Sequence, residues 1–438
     1  MSRTAIGNLP EGWTAERIKD IASTSGGMTP SKEREDFWQG SIPWVSPKDM
    51  KRAEIVDTID HVSEKALQET GLKLHQAGGV LVVVRGMILA HTFPVARNTV
   101  PVTVNQDMKV LRPAHGVSSR YLAWMLEGLE PLMLSMTDES AHGTKALRTD
   151  HWENLSVPMP SSLQQERIAN FLDEQTARID SLIAEKEALA ASLKDIEEVT
   201  AYDLVTRGAR SNVARTTYRE EWLREAPAHW GLQKLRQLAT IGNGSTPKRD
   251  NEDYWSGGQI PWLNSGAVNS SRITEASDLV TEAARKGCHL PMVRAGSTVV
   301  ALTGQGKTRG AASITEIETT INQHLAYISL FDNRMTDEYL WVLLTGMYSV
   351  LRYLSDGEGS TKGALTCEQL NQLRVLVPPM DEQGELVSAY LQRVSAIANL
   401  RGHTAEHIAR LREYRSSLIS AAVTGQLDIS SHKGQAPA

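Results

Sequence analysis

The chain lacks the features that mark secreted, membrane-spanning or cysteine-based metal proteins. Only two of its 438 residues are cysteines, Cys288 and Cys367, and they fit neither a disulfide framework nor a metal site. It contains no hydrophobic run long enough to cross a bilayer. The segment Met1–Trp13 also lacks the basic stretch followed by an apolar one that a secretory signal requires. These absences predict a soluble protein of the cytoplasm.

An excess of positive charge is absent too. The chain has 46 Lys and Arg residues against 52 Asp and Glu residues, for a formal net charge of -6. Because neutralisation of phosphates dominates DNA affinity, this balance at first argues against a nucleic-acid partner. Net charge averages over the whole surface, however, whereas DNA contacts a local patch, and a partner subunit can supply phosphate contacts. Binding to nucleic acid therefore stays open.

Motifs for catalysis are missing as well. None of the 12 histidines stands at metal-ligand spacing from another histidine or a cysteine. Pro378-Pro379 is followed by Met380, so it is not the aromatic motif of a DNA methyltransferase, and no glycine-rich cofactor loop opens a helix after a strand. We therefore expect no catalytic residue, no metal and no cofactor.

What the chain does contain is a duplication of nearly its whole length. Leu9–Trp13 matches Ala226–Trp230 at an offset of 217 residues (230 − 13), and Ile42–Trp44 matches Ile260–Trp262 at an offset of 218 (262 − 44). This period is several times longer than that of solenoid repeats, so the chain consists of two copies of one large module. The other matched segments are Gly27–Pro30 with Gly244–Pro247, Glu35–Trp38 with Glu252–Trp255, Asn105-Gln106 with Asn322-Gln323, and Tyr121-Leu122 with Tyr339-Leu340.

Each module combines a strand-containing part with a long helix. Runs such as Val80–Val84 and Ser297–Leu302 are typical of buried strands, and prolines near 160 and 379 precede helical patterns. Ser162 with Gln165 fits a capping box at the first helix start. The fold class predicted is mixed α/β. The expected segments are globular domains at 1–160 and 213–378, helical spacers at 161–212 and 379–430, and a tail at 431–438.

The helical spacers carry heptad patterns. Steps of four and three select a mostly apolar seam from Ile168 to Asp203, which includes Leu182, Leu189 and Ile196. The same register continues 218 residues later, from Leu386 to Ala421. Because the second helix must return from the second domain, we expect an antiparallel coiled coil, with the domains at opposite ends and related by a pseudo-two-fold axis.

This order of motifs resembles the specificity subunits of type I restriction-modification enzymes. The resemblance covers residues from about Leu9 to Leu427 and includes the Gly-Thr-Pro-like loop, Ile-Pro-Trp, Asn-Gln and the long helix in both copies. It implies two target recognition domains, each reading half of a split DNA sequence. It also implies that the helices set the spacing between the half-sites and bind two methyltransferase subunits. The partners implied are therefore double-stranded DNA and those two subunits, with restriction subunits left open.

Two domains that read different half-sites should differ where they touch bases. Lys48 stands where the second copy has Gly266, and Arg85 stands where it has Thr303. A polar, basic loop around Lys307 suits contact with a groove or a phosphate, and basic residues in the turns before the helices could hold phosphates or be ordinary solvated residues. The candidate DNA-contacting residues are Lys48, Arg85, Lys145, Arg148, Gln305, Lys307, Arg309 and Lys362.

Features that both copies share are better explained by structure. The Asn-Gln pairs could bind adenine, but a role in a turn is favoured because both copies keep them. The matched tryptophans could stack on bases, but core packing is favoured for the same reason.

Two alternatives remain at this point. Ala301–Thr308 fits a loosened phosphate-binding loop, which would make the chain a nucleotide-binding enzyme, although Arg309–Ser313 is a poor helix start. The second alternative is a duplicated scaffold that binds protein instead of DNA.

Overall fold

A computed structural model describes residues 3–4, 7–139, 144–304, 306–356 and 363–429. The chain forms two compact units, a first unit of Met1–Lys186 with Glu406–Ala438 and a second unit of Glu187–Ala405. Each unit contains one copy of the duplicated globular domain and segments of both long helices. Within the described ranges, no helix is both long and apolar enough to span a membrane.

Fifteen strands lie in the described part of the first unit, most of them short. The strands are β1 (Arg3–Thr4), β2 (Gly7–Asn8), β3 (Thr14–Arg17), β4 (Ala22–Gly26), β5 (Ile42–Val45), β6 (Glu54–Ile55), β7 (Asp60–Val62), β8 (Val80–Val83), β9 (Arg85–Gly86), β10 (Val95–Asn98), β11 (Thr103–Val104), β12 (Met108–Pro113), β13 (Thr137–Glu139), β14 (Lys145–Leu147) and β15 (Ser156–Met159). The helices are α1 (Ile18–Ile21), α2 (Glu35–Trp38), α3 (Glu64–Glu69), α4 (Ser119–Gly128), α5 (Glu130–Ser135), α6 (Thr149–Trp152) and α7 (Ser162–Arg207), the last of which continues into the second unit.

The second unit repeats most of this series of elements. Its strands are β16 (Arg215–Glu220), β17 (Leu223–Pro227), β18 (Gly231–Lys234), β19 (Ala239–Asn243), β20 (Ile260–Leu263), β21 (Arg272–Ile273), β22 (Asp278–Val280), β23 (Thr298–Ala301), β24 (Ala312–Thr315), β25 (Thr320–Ile321), β26 (Leu325–Leu330) and β27 (Arg374–Val377). Its helices are α8 (Glu252–Trp255), α9 (Glu282–Gly287), α10 (Asp337–Gly346), α11 (Tyr348–Ser355), α12 (Cys367–Gln372) and α13 (Met380–Val423), the last of which continues into the first unit.

The two units share one sheet topology. The five-stranded sheet has the order β4-β12-β8-β10-β6 in the first unit and β19-β26-β23-β24-β21 in the second. A three-stranded sheet accompanies each, β11-β5-β7 and β22-β20-β25. In both units the central strand, β8 or β23, is buried along its whole length, as its continuous apolar run predicts. The predicted mixed α/β class and internal repeat are confirmed.

The long helices have 46 and 44 residues, which corresponds to about 65–70 Å each. In the first unit Arg415 of α13 bonds to Asp180 of α7 at 2.8 Å, near the end of α13. Closer to the start of α7, Ile168 lines one pocket with Ala422 near the end of α13. In the second unit Arg401, in the middle of α13, lies 3.7 Å from Glu197, whereas Arg210, just after α7, bonds to Glu385 near the start of α13 at 2.6 Å. Within each unit the segments therefore run antiparallel, as predicted.

The heptad seam is only partly buried. Residues of one row of the seam, Ile179 and Leu193, are 6% and 5% exposed. Residues of the other row, Leu182, Leu189 and Ile196, are 45%, 37% and 48% exposed, so the prediction that they lie in the seam is wrong. The reason is that the helix pair removes only one narrow face from water, and the adjacent row stays at its outer margin.

The start of α7 also differs from the predicted capping box. Ser161, not Ser162, contacts a glutamine three residues later, since its backbone N–H and its hydroxyl both donate to Gln164 Oε1. Gln165 is buried and accepts from Ser118 N at 2.8 Å. In the second unit Gln383 accepts from Thr336 N at the same distance. This buried glutamine attaches the start of each long helix to the domain that precedes it.

Candidate nucleic-acid interface

Several loops of the first unit meet at one edge of its sheets, where β5, β8 and β11 end and β12 begins. The backbone N–H of Asn105 donates to Val45 O at 3.0 Å, which joins the loops after β11 and β5. That of Val84 donates to Asp107 O at 2.8 Å, which joins the loops after β8 and β11. We call these three loops the loop edge of the first unit.

The second unit has an equivalent loop edge after β20, β23 and β25. The backbone N–H of Asn322 donates to Leu263 O at 2.9 Å, and that of Leu302 donates to His324 O at 2.8 Å. The same backbone bonds thus hold both edges in one geometry.

The Asn-Gln pairs have a structural role, as expected. Asn105 and Asn322 are each 5% exposed. Their Oδ1 atoms accept from the backbone N–H two residues later, both at 3.0 Å, and so close a tight turn. In both units the following glutamine Oε1 accepts from a threonine hydroxyl at 2.5 Å, that of Thr29 or Thr246. The turn therefore also anchors the Gly-Thr-Pro-like loop.

The glycine of that loop is required by close packing. A Cβ atom on Gly27 would lie 1.8 Å from Val104 O, and one on Gly244 would lie 1.7 Å from Ile321 O. Both distances are far inside van der Waals contact, so only glycine lets the loop approach the strand.

The chemistry of the two loop edges differs at one matched pair of positions. In the first unit Arg85 Nε donates to Asp107 Oδ1 at 2.8 Å, and the arginine side chain is 54% exposed. In the second unit the equivalent positions hold Thr303 and His324, whose Oγ1 and Nδ1 atoms are 2.9 Å apart. One geometry thus presents a charged pair in the first unit and a hydroxyl–imidazole pair in the second.

A second predicted cation lies on the strand that pairs with that of Arg85. Strand β14 pairs with β9, with Ala146 opposite Arg85 and half-buried Lys145 opposite Gly86, so the side chains of Lys145 and Arg85 project from opposite faces of the strand pair. Arg148, by contrast, is engaged by Asp150 at 3.2 Å, and this hydrogen bond holds the pKa of the Asp150 carboxyl below its usual value.

Lys48 is exposed and lines a shallow cleft beside the loop edge, together with Lys51 and Arg52. The matching cleft of the second unit is lined by Gly266 and Ser270 at the places of Lys48 and Arg52. Three carboxylates, those of Asp49, Glu54 and Asp57, line the first cleft together with its three cations. The second cleft lacks counterparts of those three cations.

The loop after β23 carries Lys307 on an exposed turn. Helix α11 fixes the backbone of this turn, because the Tyr348 hydroxyl donates to Lys307 O at 2.9 Å and Arg352 donates to Gly306 O. Arg309 is only 8% exposed and pairs with Asp356 at 2.5 Å, so its placement favours support of the loop over contact with a ligand. The predictions for Gln305 and Lys362 fall outside the described residues.

The geometry of this loop excludes the alternative of a nucleotide-binding phosphate loop at Ala301–Thr308. A nucleotide site of this type needs a helix directly after the lysine and threonine. The chain instead turns at Thr308 and continues as strand β24, which pairs antiparallel with β23. Within the described ranges, no cluster of three His, Cys, Asp or Glu side chains could hold a metal ion.

The fold and these edges define a class of protein: a duplicated recognition module whose polar loops vary on a constant scaffold. The chain belongs to the type I restriction modification DNA specificity domain family, whose model matches residues 10–191 and 227–407. It is a specificity subunit, which recognises DNA, assembles with other restriction-modification subunits and is not itself catalytic.

Named relatives agree with this assignment. The chain is 26% identical over 436 residues to the MjaIX specificity subunit of Methanocaldococcus jannaschii, covering 97% of this chain and 96% of the relative. It is 33% identical to the EcoR124I/EcoR124II specificity subunit of Escherichia coli over 158 residues, 36% of this chain and 39% of the relative.

Solved structures support the fold. A chain from a structure of type I R-M complex assembly and conformational transition matches with a TM-score of 0.71 at 15% identity, covering 96% of this chain and 100% of that one. The HsdS subunit of Thermoanaerobacter tengcongensis matches with a TM-score of 0.54 at 15% identity, covering 96% and 98%.

Sequence reasoning missed the partners of the candidate cations. Asp107 and His324 directly follow the matched Asn-Gln pairs and differ in charge, which was a usable signal. Thr29 and Thr246 are matched in both copies, but only the structure connects them to the glutamines.

Proposed function

We propose that each globular domain reads one half of a bipartite DNA target by inserting its loop edge into the major groove. The observation that carries this proposal is the exchange of Arg85–Asp107 for Thr303–His324 on an otherwise common turn. Half-sites of different sequence require a scaffold that stays constant while the groups facing the bases change. The recognition domains are taken as residues 1–160 and 213–378, and the helical spacers as 161–212 and 379–430.

The first loop edge suits a guanine. Asp107 engages Nε of Arg85, which leaves the two terminal guanidinium nitrogens for the O6 and N7 acceptors of guanine. The second loop edge has no cation at this position, and its hydroxyl and imidazole suit a different base.

Other cations suit the DNA backbone. Lys48 is exposed in the cleft beside the loop edge, and half-buried Lys145 lies on the strand that pairs with that of Arg85, so both can neutralise phosphates near the first half-site. Lys307 has the same role at the second half-site, and Arg309 holds its loop in place.

We further propose that the helices dock two methyltransferase subunits, with restriction subunits joining through them, in the cytoplasm. Exposed apolar residues recur at equivalent helix positions, Leu182 with Tyr414 in the first unit and Leu400 with Ile196 in the second. Exposed apolar side chains that recur in this way are typical of protein interfaces, and two equivalent patches suit two copies of one partner.

The test is an exchange of the two pairs in the complete complex. Arg85→Thr with Asp107→His should relax or change one base pair of one half-site, with a discrimination loss of about 1–3 kcal/mol, and leave the other half-site unchanged. Sequencing of methylated genomic DNA reads both half-sites at once.

The matched control is Thr303→Arg with His324→Asp, which should alter only the other half-site. If both variants kept the parental target, or if either changed both half-sites, the assignment of one half-site to each domain would be wrong. Salt-independent binding of the complex to DNA would instead favour the protein-scaffold alternative.

A further inference from the structure

An open pocket of about 400 Å³ lies in the first unit, behind the Gly-Thr-Pro-like loop. Two tryptophans form its walls, Trp38 and Trp44, with ring centroids 5.0 Å apart and an edge-to-face angle of 84°. Two carboxylates, those of Glu35 and Asp60, also line it, and Lys32 and Gln39 complete the lining. Aromatic faces beside carboxylates attract cations and repel phosphates.

The second unit has the same walls. Trp255 and Trp262 have ring centroids 5.3 Å apart at 88°. Asp278 is paired with Trp262 across strands β22 and β20, as Asp60 is paired with Trp44 across β7 and β5. The duplicated chain thus contains this arrangement twice.

In the second unit the chain fills the space itself. The guanidinium carbon of Arg249 lies 4.0 Å from the centroid of the Trp255 ring and 5.3 Å from that of Trp262. Its two terminal nitrogens lie 3.1 and 3.3 Å from the two carboxylate oxygens of Asp278. The second unit therefore shows which chemical group fits these walls.

In the first unit that group is missing. The position of Arg249 is taken by Lys32, whose compact ammonium cannot stack as a plane or bond a carboxylate with two parallel donors. Among the described residues, neither Lys32 nor the Asp60 carboxylate has an ion-pair partner within 4.0 Å.

We propose that this pocket binds the guanidinium group of an arginine side chain supplied by another subunit of the restriction-modification complex. The arginine lies against Trp38 and Trp44 and bonds to Asp60. In the second unit Arg249 makes the equivalent contacts with Trp255, Trp262 and Asp278. The site does not depend on which base either domain reads.

The pocket is connected to the loop edge. The Trp44 indole N–H donates to Met28 O at 3.1 Å, and the next residue, Thr29, bonds to Gln106 of the Asn-Gln turn. An arginine bound there stabilises the first recognition loop from another subunit, whereas Arg249 of this chain stabilises the second.

The first experiment titrates the full-length chain with N-acetyl-arginine methylamide and follows the tryptophan indole N–H signals by NMR. The neutral isostere N-acetyl-citrulline methylamide is the matched probe. We expect saturable shifts of Trp38 and Trp44 with the arginine probe and at least tenfold weaker binding of citrulline. Lys32→Arg, which supplies the missing group, should abolish binding in the first unit, and Arg249→Lys should create a second site at Trp255 and Trp262.

Equal binding of both probes, no saturable shift, or full binding to Lys32→Arg would overturn the guanidinium site. The second experiment places a photo-crosslinking residue at Gln39 in the assembled complex. A crosslink to an arginine-containing segment of another subunit supports the stated source, and crosslinks confined to this chain overturn it.

Discussion

The first and second units have the same scaffold, but their loops differ in the contacts that stabilise them and in the charged residues that they carry. Sheet order, the Asn-Gln turn and the tryptophan pair are common to both. The first unit has the exposed cations Lys48, Lys51 and Arg52 and an unfilled aromatic pocket. The second unit fills its pocket with Arg249 and buries Arg309 against Asp356.

This difference separates two kinds of requirement. Positions whose backbone must close a turn or touch a strand keep their residue in both copies, because the geometry admits few alternatives. Positions that face solvent at the loop edge have diverged, because the side chains there are constrained by the ligand that they contact and not by packing within the fold. Three predictions test that division, from the largest expected effect to the smallest.

Replacing the glycine that both Gly-Thr-Pro-like loops share should lower the free energy of unfolding of both units equally. Gly27→Ala and Gly244→Ala each force a methyl group against a backbone carbonyl, so each should destabilise its unit by about 3 kcal/mol. Hydrogen exchange of each unit measures the loss. The control is Gly384→Ala in α13, where a Cβ meets nothing within 4 Å and the helix should gain about 0.5–1 kcal/mol. Unequal losses at Gly27 and Gly244 would contradict the common scaffold.

The carboxylate of Glu382, which has no acidic counterpart in the first unit, should stabilise only the second unit. Glu382 is 7% exposed; its Oε1 lies 2.6 Å from His229 Nε2, and its Oε2 accepts from the Trp230 indole at 2.9 Å. Glu382→Gln replaces an acceptor by a donor facing His229 and Arg210, and should cost roughly 2 kcal/mol in thermal or urea unfolding of that unit.

The matched control for that change lies in the first unit. Gln164, the equivalent residue, accepts from Ser161 N and its hydroxyl through Oε1, so Gln164→Glu keeps both bonds and should change stability by less than about 0.5 kcal/mol. A comparable loss in both variants would mean that the acid carries no special role in the second unit.

Removing the cations of the first cleft should affect DNA binding and not folding. Lys48→Ala, Lys51→Ala and Arg52→Ala should each lower the salt dependence of DNA affinity by about one unit of log–log slope and leave the target sequence unchanged. Binding isotherms of the assembled complex at several salt concentrations measure the slope. In the second unit Asn269→Ala and Ser270→Ala, at the equivalent places, should leave it unaltered. An unchanged slope in the first unit would remove the cleft from the interface.

The candidate site was predictable in part. Lys145 was predicted from its place in the turn before the first long helix, and Arg85 and Lys48 because they are basic and differ from their counterparts. The structure leaves Arg85 at the loop edge, Lys48 beside it, and Lys145 on the strand that pairs with that of Arg85. Arg309 satisfied the same criterion but is buried, because Asp356, 47 residues later, lies against it. Basic character alone cannot distinguish a cation presented to solvent from one paired internally.

The sequence by itself determined the duplication, the mixed α/β class and the two long antiparallel helices, because these follow from repeated motifs, hydrophobic periodicity and chain order. Only the tertiary structure decided which seam residues are exposed, that Asp107 orients Arg85, and that Arg249 fills a space left open beside Lys32. Those contacts join residues on different strands and loops, so they depend on distances across the sheets that no local pattern of residues encodes.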